Sequence, residues 1–331
     1  MKIAIVKLSA LGDIIHSMVV LQFIKNQNQN IKIDWIVEES YRGLLDHHPA
    51  IHKVHAINIK NPRKKTSVFL IINELRRIRK LGPYDLVIDL QGLIKSAIIS
   101  RFLPSRVIFG FDKFSAREGL ASIFYDKVCR IDYDKNVVER NFVLIKNALE
   151  LSSDVKDINQ KLPFLYSNQK TSIVSMSNIK KNIVLIPGAS FASKRYPAEK
   201  FAELTNLLDA NYLIIWGNDD EKLLADKIKK LSPSVNICEK LSIEELISLI
   251  AEANLIIGPD TGPTHMGWAL NIPSITLFGP TPGYRNTIIT EYNKIIESES
   301  KVNPYKINKN DFSIKNISIN QVLETAKDLL T

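Results

Sequence analysis

Short apolar runs that break into a carboxylate or a Gly/Pro turn, each followed by helical spacing, constrain this chain more than any other feature. Residues 3–6 are Ile-Ala-Ile-Val, and KLSALGDIIHSM (7–18) follows as a turn and the opening of a helix. KIDWIVEE (32–39) and YDLVIDLQG (84–92) read as further buried strands. Between them SVFLIINELRRIRKLG (67–82) has helical spacing and closes on basic residues and Gly82, a helix C-terminal signature. Strand and helix alternating through short turns specify a parallel sheet covered by helices on both faces.

The pattern stops and restarts. LYSNQKTSIVSMSNIKKN (165–182) is polar, rich in Ser, Asn and Lys, and weakly periodic, as a linker is. After it come IVLIPG (183–188), a helix over 197–209, YLIIWG (212–217), a helix from Asp220, and the strands NLIIGPDTG (254–262) and SITLFGPT (274–281). LSIEELISLIAEA carries a capping box, Ser242 with Glu245, and SINQVLETAKDLL a second, Ser318 with Gln321. A length of 331 residues suits two domains of about 150 each. The expectation is an α/β chain of two Rossmann-like domains: 1–165, a linker over 166–182, and 183–331 with a terminal helix.

Doubly wound sheets bind ligands beyond the carboxyl ends of their strands, so polar residues at strand ends are the candidates. The first turn holds one glycine, Gly12, beside a carboxylate, Asp13. An anion there does not suit a phosphate loop, which needs close backbone N–H groups. The second half is different. In PGASFASKRYP (187–197), WGNDDE (216–221) and GPDTGPTHMGWAL (258–270), strand ends supply what a nucleotide diphosphate needs. Thr261, Gly262 and Thr264 offer N–H and hydroxyl donors at the positive end of a helix. Lys194 offers a cation, and Glu221, four residues beyond Gly217, is placed like the acid that grips a ribose in dinucleotide folds. Taken singly, Asp13, Asp260 and Thr264 read equally as helix caps, Lys194 as a solvated lysine and Glu221 as an early-helix acid. Their joint placement at strand ends favours a site.

In order along the chain, KLSALGDIIHSM, DWIVEE, IDLQGLIKSA, AREGLASIFY, KRYP, WGNDDE and GPDTGPTHMGWAL resemble the bacterial lipopolysaccharide heptosyltransferases of glycosyltransferase family 9. The likeness covers about residues 1 to 285, and the first four motifs are most similar to the heptosyltransferase I type, which adds the first heptose to Kdo of the inner core. It implies a GT-B fold, with an N-terminal acceptor-binding domain facing a C-terminal ADP-heptose-binding domain across a cleft. It also implies inverting transfer from ADP-heptose to Kdo-lipid A, with no essential metal and no cofactor beyond the donor substrate.

Carried over by resemblance, Asp13 is the general base and Lys194 the catalytic diphosphate-binding residue. Glu221 meets the ribose, and Asp260, Thr261, Gly262 and His265 the heptose-diphosphate part. Ser190 matches a donor-binding threonine and Leu241 an apolar residue under the adenine. Heptosyltransferase I has two threonines where this chain has Ala189-Ser190, and PGAS is closer to the loop of heptosyltransferase II. The alternatives are therefore heptosyltransferase II or a later core transferase, and a non-catalytic nucleotide-sugar or lipopolysaccharide-binding protein.

Lys and Arg outnumber Asp and Glu by 44 to 35, a formal charge of +9 that calls for an anionic partner or a set of solvated faces. KNPRKK (60–65) and the basic residues of the first-domain motifs supply acceptor candidates: Lys7, Lys60, Arg63, Lys64, Lys95 and Arg117. Such a cluster would hold the enzyme at an anionic membrane surface. Nucleic acid is not the expected partner, since the basic run lacks interleaved aromatics and no recognised nucleic-acid module is present. Cys129 and Cys238 lie far apart, and His47-His48 lack partners at ligand spacing, so neither a disulfide framework nor a metal site is expected. His16 and the three tryptophans read as packing residues. With no signal segment and no membrane-length apolar run, the expected location is the cytoplasm, peripheral on the cytoplasmic face of the inner membrane.

Overall fold

The computed structural model describes residues 1–58, 68–169 and 176–331. It divides into two compact units, Met1–Phe164 and Leu165–Thr331. The first contains β1 (Lys2–Val6), α1 (Leu11–Met18), α2 (Val20–Gln27), β2 (Lys32–Glu38), β3 (Lys53–Ile57), α3 (Val68–Ile78), β4 (Tyr84–Asp89), α4 (Ile94–Phe102), β5 (Ser105–Phe111), β6 (Lys127–Cys129) and α5 (Val137–Leu149). The second contains β7 (Asn182–Leu185), α6 (Ala198–Leu207), β8 (Asn211–Ile214), α7 (Asp219–Leu231), β9 (Asn236–Ile237), α8 (Ile243–Ala251), β10 (Leu255–Pro259), α9 (Gly262–Leu270), β11 (Ser274–Phe278), α10 (Gly283–Asn286), β12 (Asn293–Glu297) and α11 (Ile319–Leu330).

Each unit forms a six-stranded parallel sheet, ordered β3-β2-β1-β4-β5-β6 in one and β12-β11-β10-β7-β8-β9 in the other. Counted from its own first strand, the second sheet repeats the 3-2-1-4-5-6 order of the first. Both are doubly wound, as the alternating pattern requires, and each has a switch point where its first and fourth strands lie side by side. The central strands are buried along almost their whole length because helices cover both faces. In the first unit Phe142 of α5 meets Phe23 of α2 edge to face, with ring centroids 5.1 Å apart. In the second, α11 closes the core with Val322 and Ala326.

The Ser242–Glu245 capping box forms in both directions, at 2.7 and 3.2 Å. The second one does not. Ser318 occupies the N-cap position of α11 but makes no side-chain cap hydrogen bond, so this helix start is held by burial of its apolar face. The basic run 60–65, and with it Lys60, Arg63 and Lys64, lies outside the described residues. No helix among the described residues is long and apolar enough to cross a membrane.

The amino edge of the first sheet holds a buried carboxylate, Asp34 of β2. It accepts hydrogen bonds from His52 Nδ1 (2.7 Å), Tyr84 Oη (2.9 Å) and His55 Nε2 (3.2 Å), and pairs with Lys2 Nζ at 3.1 Å. Burial alone would raise its pKa; the donors from His55, His52, Lys2 and Tyr84 outweigh that and hold it well below the ordinary carboxylate range. A depressed folded pKa stabilises above the unfolded value of about 3.9 and is lost as pH falls below it. Thermal melts of the wild type should therefore drop steeply below about pH 4, and Asp34→Asn should flatten that part of the profile while lowering the plateau. Equal acid slopes in the two proteins would remove Asp34 as the source.

Candidate active site

At the switch point of the first sheet, β1 runs into Lys7 and a turn whose Ser9–Ala10 peptide is cis. That turn is pinned from β4. Gln91 Oε1 accepts the backbone N–H groups of Leu8 (3.0 Å) and Ser9 (3.3 Å). Gln91 is in turn fixed by Asp89, whose carboxylate accepts from the Gln91 and Gly92 N–H groups, Ser96 Oγ and Tyr125 Oη. Asp13 is half-buried in the first turn of α1. It is not the N-cap, which is Ala10; Asp13 stands three residues inside and accepts the Ala10 N–H at 3.2 Å.

Lys7 is buried and donates from Nζ to the Leu90 carbonyl at 2.9 Å. Burial pulls its pKa down, and the Asp13 and Asp89 carboxylates oppose that pull. The Tyr41 phenol is pushed up by burial, then by Glu38 and Asp13. Asp13 therefore acts electrostatically on both the Lys7 amine and the Tyr41 phenol. Lys95, at the start of α4, forms an ion pair with Glu38 at the carboxyl end of β2. Arg117 is exposed on the segment after β5. His16 is buried on α1, as a packing residue would be.

The second sheet is built differently at its switch point. Asp260, directly after β10, is buried and accepts from Lys194 Nζ (2.8 Å), His265 Nε2 (2.9 Å) and Asn286 Nδ2 (3.1 Å). It caps nothing. The N-cap of α9 is Thr261, without a side-chain cap bond, and Thr264 donates its hydroxyl to the Pro259 carbonyl at 2.8 Å. Burial would raise the Asp260 pKa, but the Lys194 ammonium and the His265 bond hold it well below the ordinary range. Engaged by three donors, Asp260 presents no bare charge to an incoming anion; it fixes the groups that would meet one. At the start of α9 the Gly262 and Thr264 N–H groups lack intrahelical acceptors, Pro263 carries no N–H, and the positive end of the helix dipole adds to those two donors.

Glu221 stands in the first turn of α7 and accepts the Gly217 N–H at 2.8 Å. A Cβ at Gly188 would lie 2.3 Å from Glu221 Cδ, so the carboxylate lies across the loop after β7 as well as the one after β8. Ala189 is buried, Ser190 is exposed, and Leu241 is half-buried just before α8. The structure thus gathers Lys194, Asp260, Thr261, Gly262 and His265 at one strand end, with Glu221 at the neighbouring pair. Two contributors had no local sign. Asn286 reaches Asp260 from α10, and Gln91 acts through a backbone contact 83 residues away in sequence.

Gly188 supplies a test of the Glu221 position. In Gly188→Ala the new methyl must displace the Glu221 carboxylate. On the expectation that Glu221 meets the ribose of a bound nucleotide, ADP affinity, measured by calorimetry, should fall about tenfold, the worth of one charge-assisted hydrogen bond. Affinity for inorganic pyrophosphate, which has no ribose, should be unchanged. Equal losses for both ligands would remove Glu221 from the ribose.

A family model described as glycosyltransferase family 9 (heptosyltransferase) matches residues 73–313. Lipopolysaccharide heptosyltransferase 1 of Campylobacter coli is 41% identical, over 99% of this chain and 99% of its own. Among solved structures, E. coli heptosyltransferase WaaC with ADP superposes with a TM-score of 0.80 at 26% identity, covering 99% of this chain and 100% of that one. The same E. coli protein with ADP-2-deoxy-2-fluoro heptose gives 0.78 at 26% identity, over 99% of each chain.

Proposed function

The chain belongs to glycosyltransferase family 9, the heptosyltransferases, and on that premise we propose that it transfers L-glycero-D-manno-heptose from ADP-heptose to a Kdo hydroxyl of Kdo-lipid A. The observation that carries the reading is the contrast between the two carboxyl edges. One sheet ends in a cation, helix N–H donors and an acid that holds the Gly217 N–H; the other ends in a half-buried carboxylate beside the basic Lys7.

In this reading the second unit holds ADP-heptose. Glu221 accepts from the ribose, Leu241 lies under the adenine, and Ser190 donates to the donor's phosphates. Lys194 and the α9 N-terminus carry the diphosphate, with Lys194 and His265 oriented by Asp260. Asp13 takes the proton from the acceptor hydroxyl as its oxygen bonds to the anomeric carbon. The bond from that carbon to the diphosphate breaks on the opposite side, which inverts the centre and releases ADP. Negative charge grows on the departing diphosphate, where a buried cation and helix dipole stabilise it most. A positioned base contributes roughly 10²–10⁴-fold. Lys7, Lys95 and Arg117, together with the run 60–65, would meet the anionic acceptor, on a protein held peripherally at the cytoplasmic face of the inner membrane.

The test is an acceptor comparison. Incubated with ADP-heptose, the protein should add one heptose mass to Kdo-lipid A and none to an acceptor already carrying its first heptose. Turnover on the heptosylated acceptor alone would move the assignment to heptosyltransferase II. ADP-heptose binding with no turnover on either would make the chain a binding protein.

A further inference from the structure

The segment after β5 carries an apolar face turned outward. Gly119–Phe124 is a 3-10 helix, in which residues three apart share a face. Ala121 and Phe124 form the inner face and pack on the core of the first unit. The opposite face would ordinarily be polar. Here it holds Leu120 and Ile123, 67% and 73% exposed, with Phe114 at 63% in the turn before it and Val128 at 49% on the edge strand β6.

The charges around these side chains are sorted by sign. Asp112 accepts from the Phe114 and Ser115 N–H groups, and Glu118 from the Ile94 N–H at 2.7 Å. Asp126 accepts from the Ile108 N–H and from Arg101. Every carboxylate of the segment is thus engaged by a donor. The cations are not: among the described residues Lys113, Arg117, Lys127 and Arg130 have no carboxylate partner, and Lys113 and Arg130 lie over the Phe114 ring at 4.8 and 5.3 Å. Exposed apolar points among unpaired cations match the headgroup boundary of an anionic bilayer rather than a dry protein interface.

We propose that residues 113–128 form a membrane-docking surface, on which Leu120 and Ile123 enter the headgroup boundary of an anionic lipid leaflet and the surrounding cations pair with its phosphates. The proposal rests on the lipid-linked acceptor argued above and gives it a place. The segment is tied to the turn after β4 by the Glu118 N–H to the Gly92 carbonyl (3.1 Å), and to Asp89 through the Tyr125 hydroxyl (2.8 Å). Through Asp89 and Gln91 it is anchored to the turn that leads to Asp13, so docking would set the leaflet beside the acceptor edge.

Vesicle co-sedimentation with the full chain tests this. The wild type should bind phosphatidylglycerol-containing vesicles well above phosphatidylcholine ones. The Leu120→Ser/Ile123→Ser double variant should lose at least about tenfold in partition to the former. Lys113→Ala/Lys127→Ala should lose about tenfold or more, and only on anionic vesicles. Turnover on an acyl-free Kdo saccharide should be unchanged in both variants, which also reports intact folding. Wild-type vesicle binding by the Leu/Ile double variant overturns the surface. So does a wild-type dimer, seen by sedimentation velocity, that the same substitutions dissociate. Failure of every protein to turn over the acyl-free acceptor would instead count against the heptosyltransferase I assignment, and leaves the vesicle comparison to be read by itself.

Discussion

Asp13→Asn should lose about 10²-fold or more in kcat while binding ADP normally and melting close to the wild type. Asp13 does two separable things. Its carboxylate accepts the Ala10 N–H at the start of α1, and it is the proposed acceptor of the substrate proton. An asparagine carbonyl can keep the first bond and cannot perform the second. Asp13→Ala loses both, so it should also lose about 1 kcal/mol of stability, the usual worth of a helix-start contact. If Asp13 were only a helix-start residue, the order would reverse, with near-normal turnover in the asparagine variant and a stability loss in alanine. Measuring kcat, ADP affinity and melting on both variants separates the two, and wild-type turnover by Asp13→Asn would end the assignment.

The second large effect concerns the Lys194–Asp260 pair. Removing one partner of a buried ion pair leaves the other charge uncompensated, which costs about 3–5 kcal/mol. Asp260→Ala should therefore lower the melting temperature of the second unit by roughly 6–20 °C, taking about 2–4 °C per kcal/mol for a unit of this size. It should also weaken ADP, because Lys194 and His265 lose the group that orients them. Lys194→Met should cost stability for the same reason and weaken ADP by roughly 1.5–3 kcal/mol, one charged hydrogen bond. The double variant Lys194→Met/Asp260→Ala distinguishes holding from binding. Stability should partly return, since no lone charge stays buried, and ADP affinity should not. The wild type should lose this stabilisation as pH falls below about 4, because the folded Asp260 pKa is depressed. ADP affinity in the double variant equal to that of the wild type would remove the pair from the donor site.

Much of the architecture is legible because its strands are continuous apolar runs. Residues 3–6 and 183–188 have no polar side to present, so they need cover on both faces, and helical patterns stand on either side to provide it. What stays hidden has two physical causes. Strands such as β6 and β9 are short edge strands, Lys127–Cys129 and Asn236–Ile237, and take their conformation from one neighbour more than from their own composition. Contacts of long sequence separation leave no local mark. Lys194 and Asp260 meet across 66 residues, and Gln91 pins Leu8 across 83. Asp260 shows the cost of local reading: DTG before a helix suggests a cap, and only the fold reveals a carboxylate occupied by donors from three other places. Ser318 errs the same way, with a capping sequence and no capping bond.

The strand order governs how a nascent chain can acquire this fold. In both sheets the first strand synthesised lies at the centre, and the neighbour that completes its switch point comes fourth. β1 therefore leaves the ribosome with both of its hydrogen-bonding sides open, and one stays open until β4 has followed. The Leu8–Ser9 turn cannot take its shape before Gln91 exists to hold it. The second unit repeats the interval, since β7 must wait for β10. Each unit thus passes through a stage during translation in which an apolar central strand is unsealed, the condition in which parallel sheets are slow to form and exposed to mispairing. A chain stalled before residue 84 would present that strand with no native neighbour on one side, a natural target for chaperone capture or proteolysis.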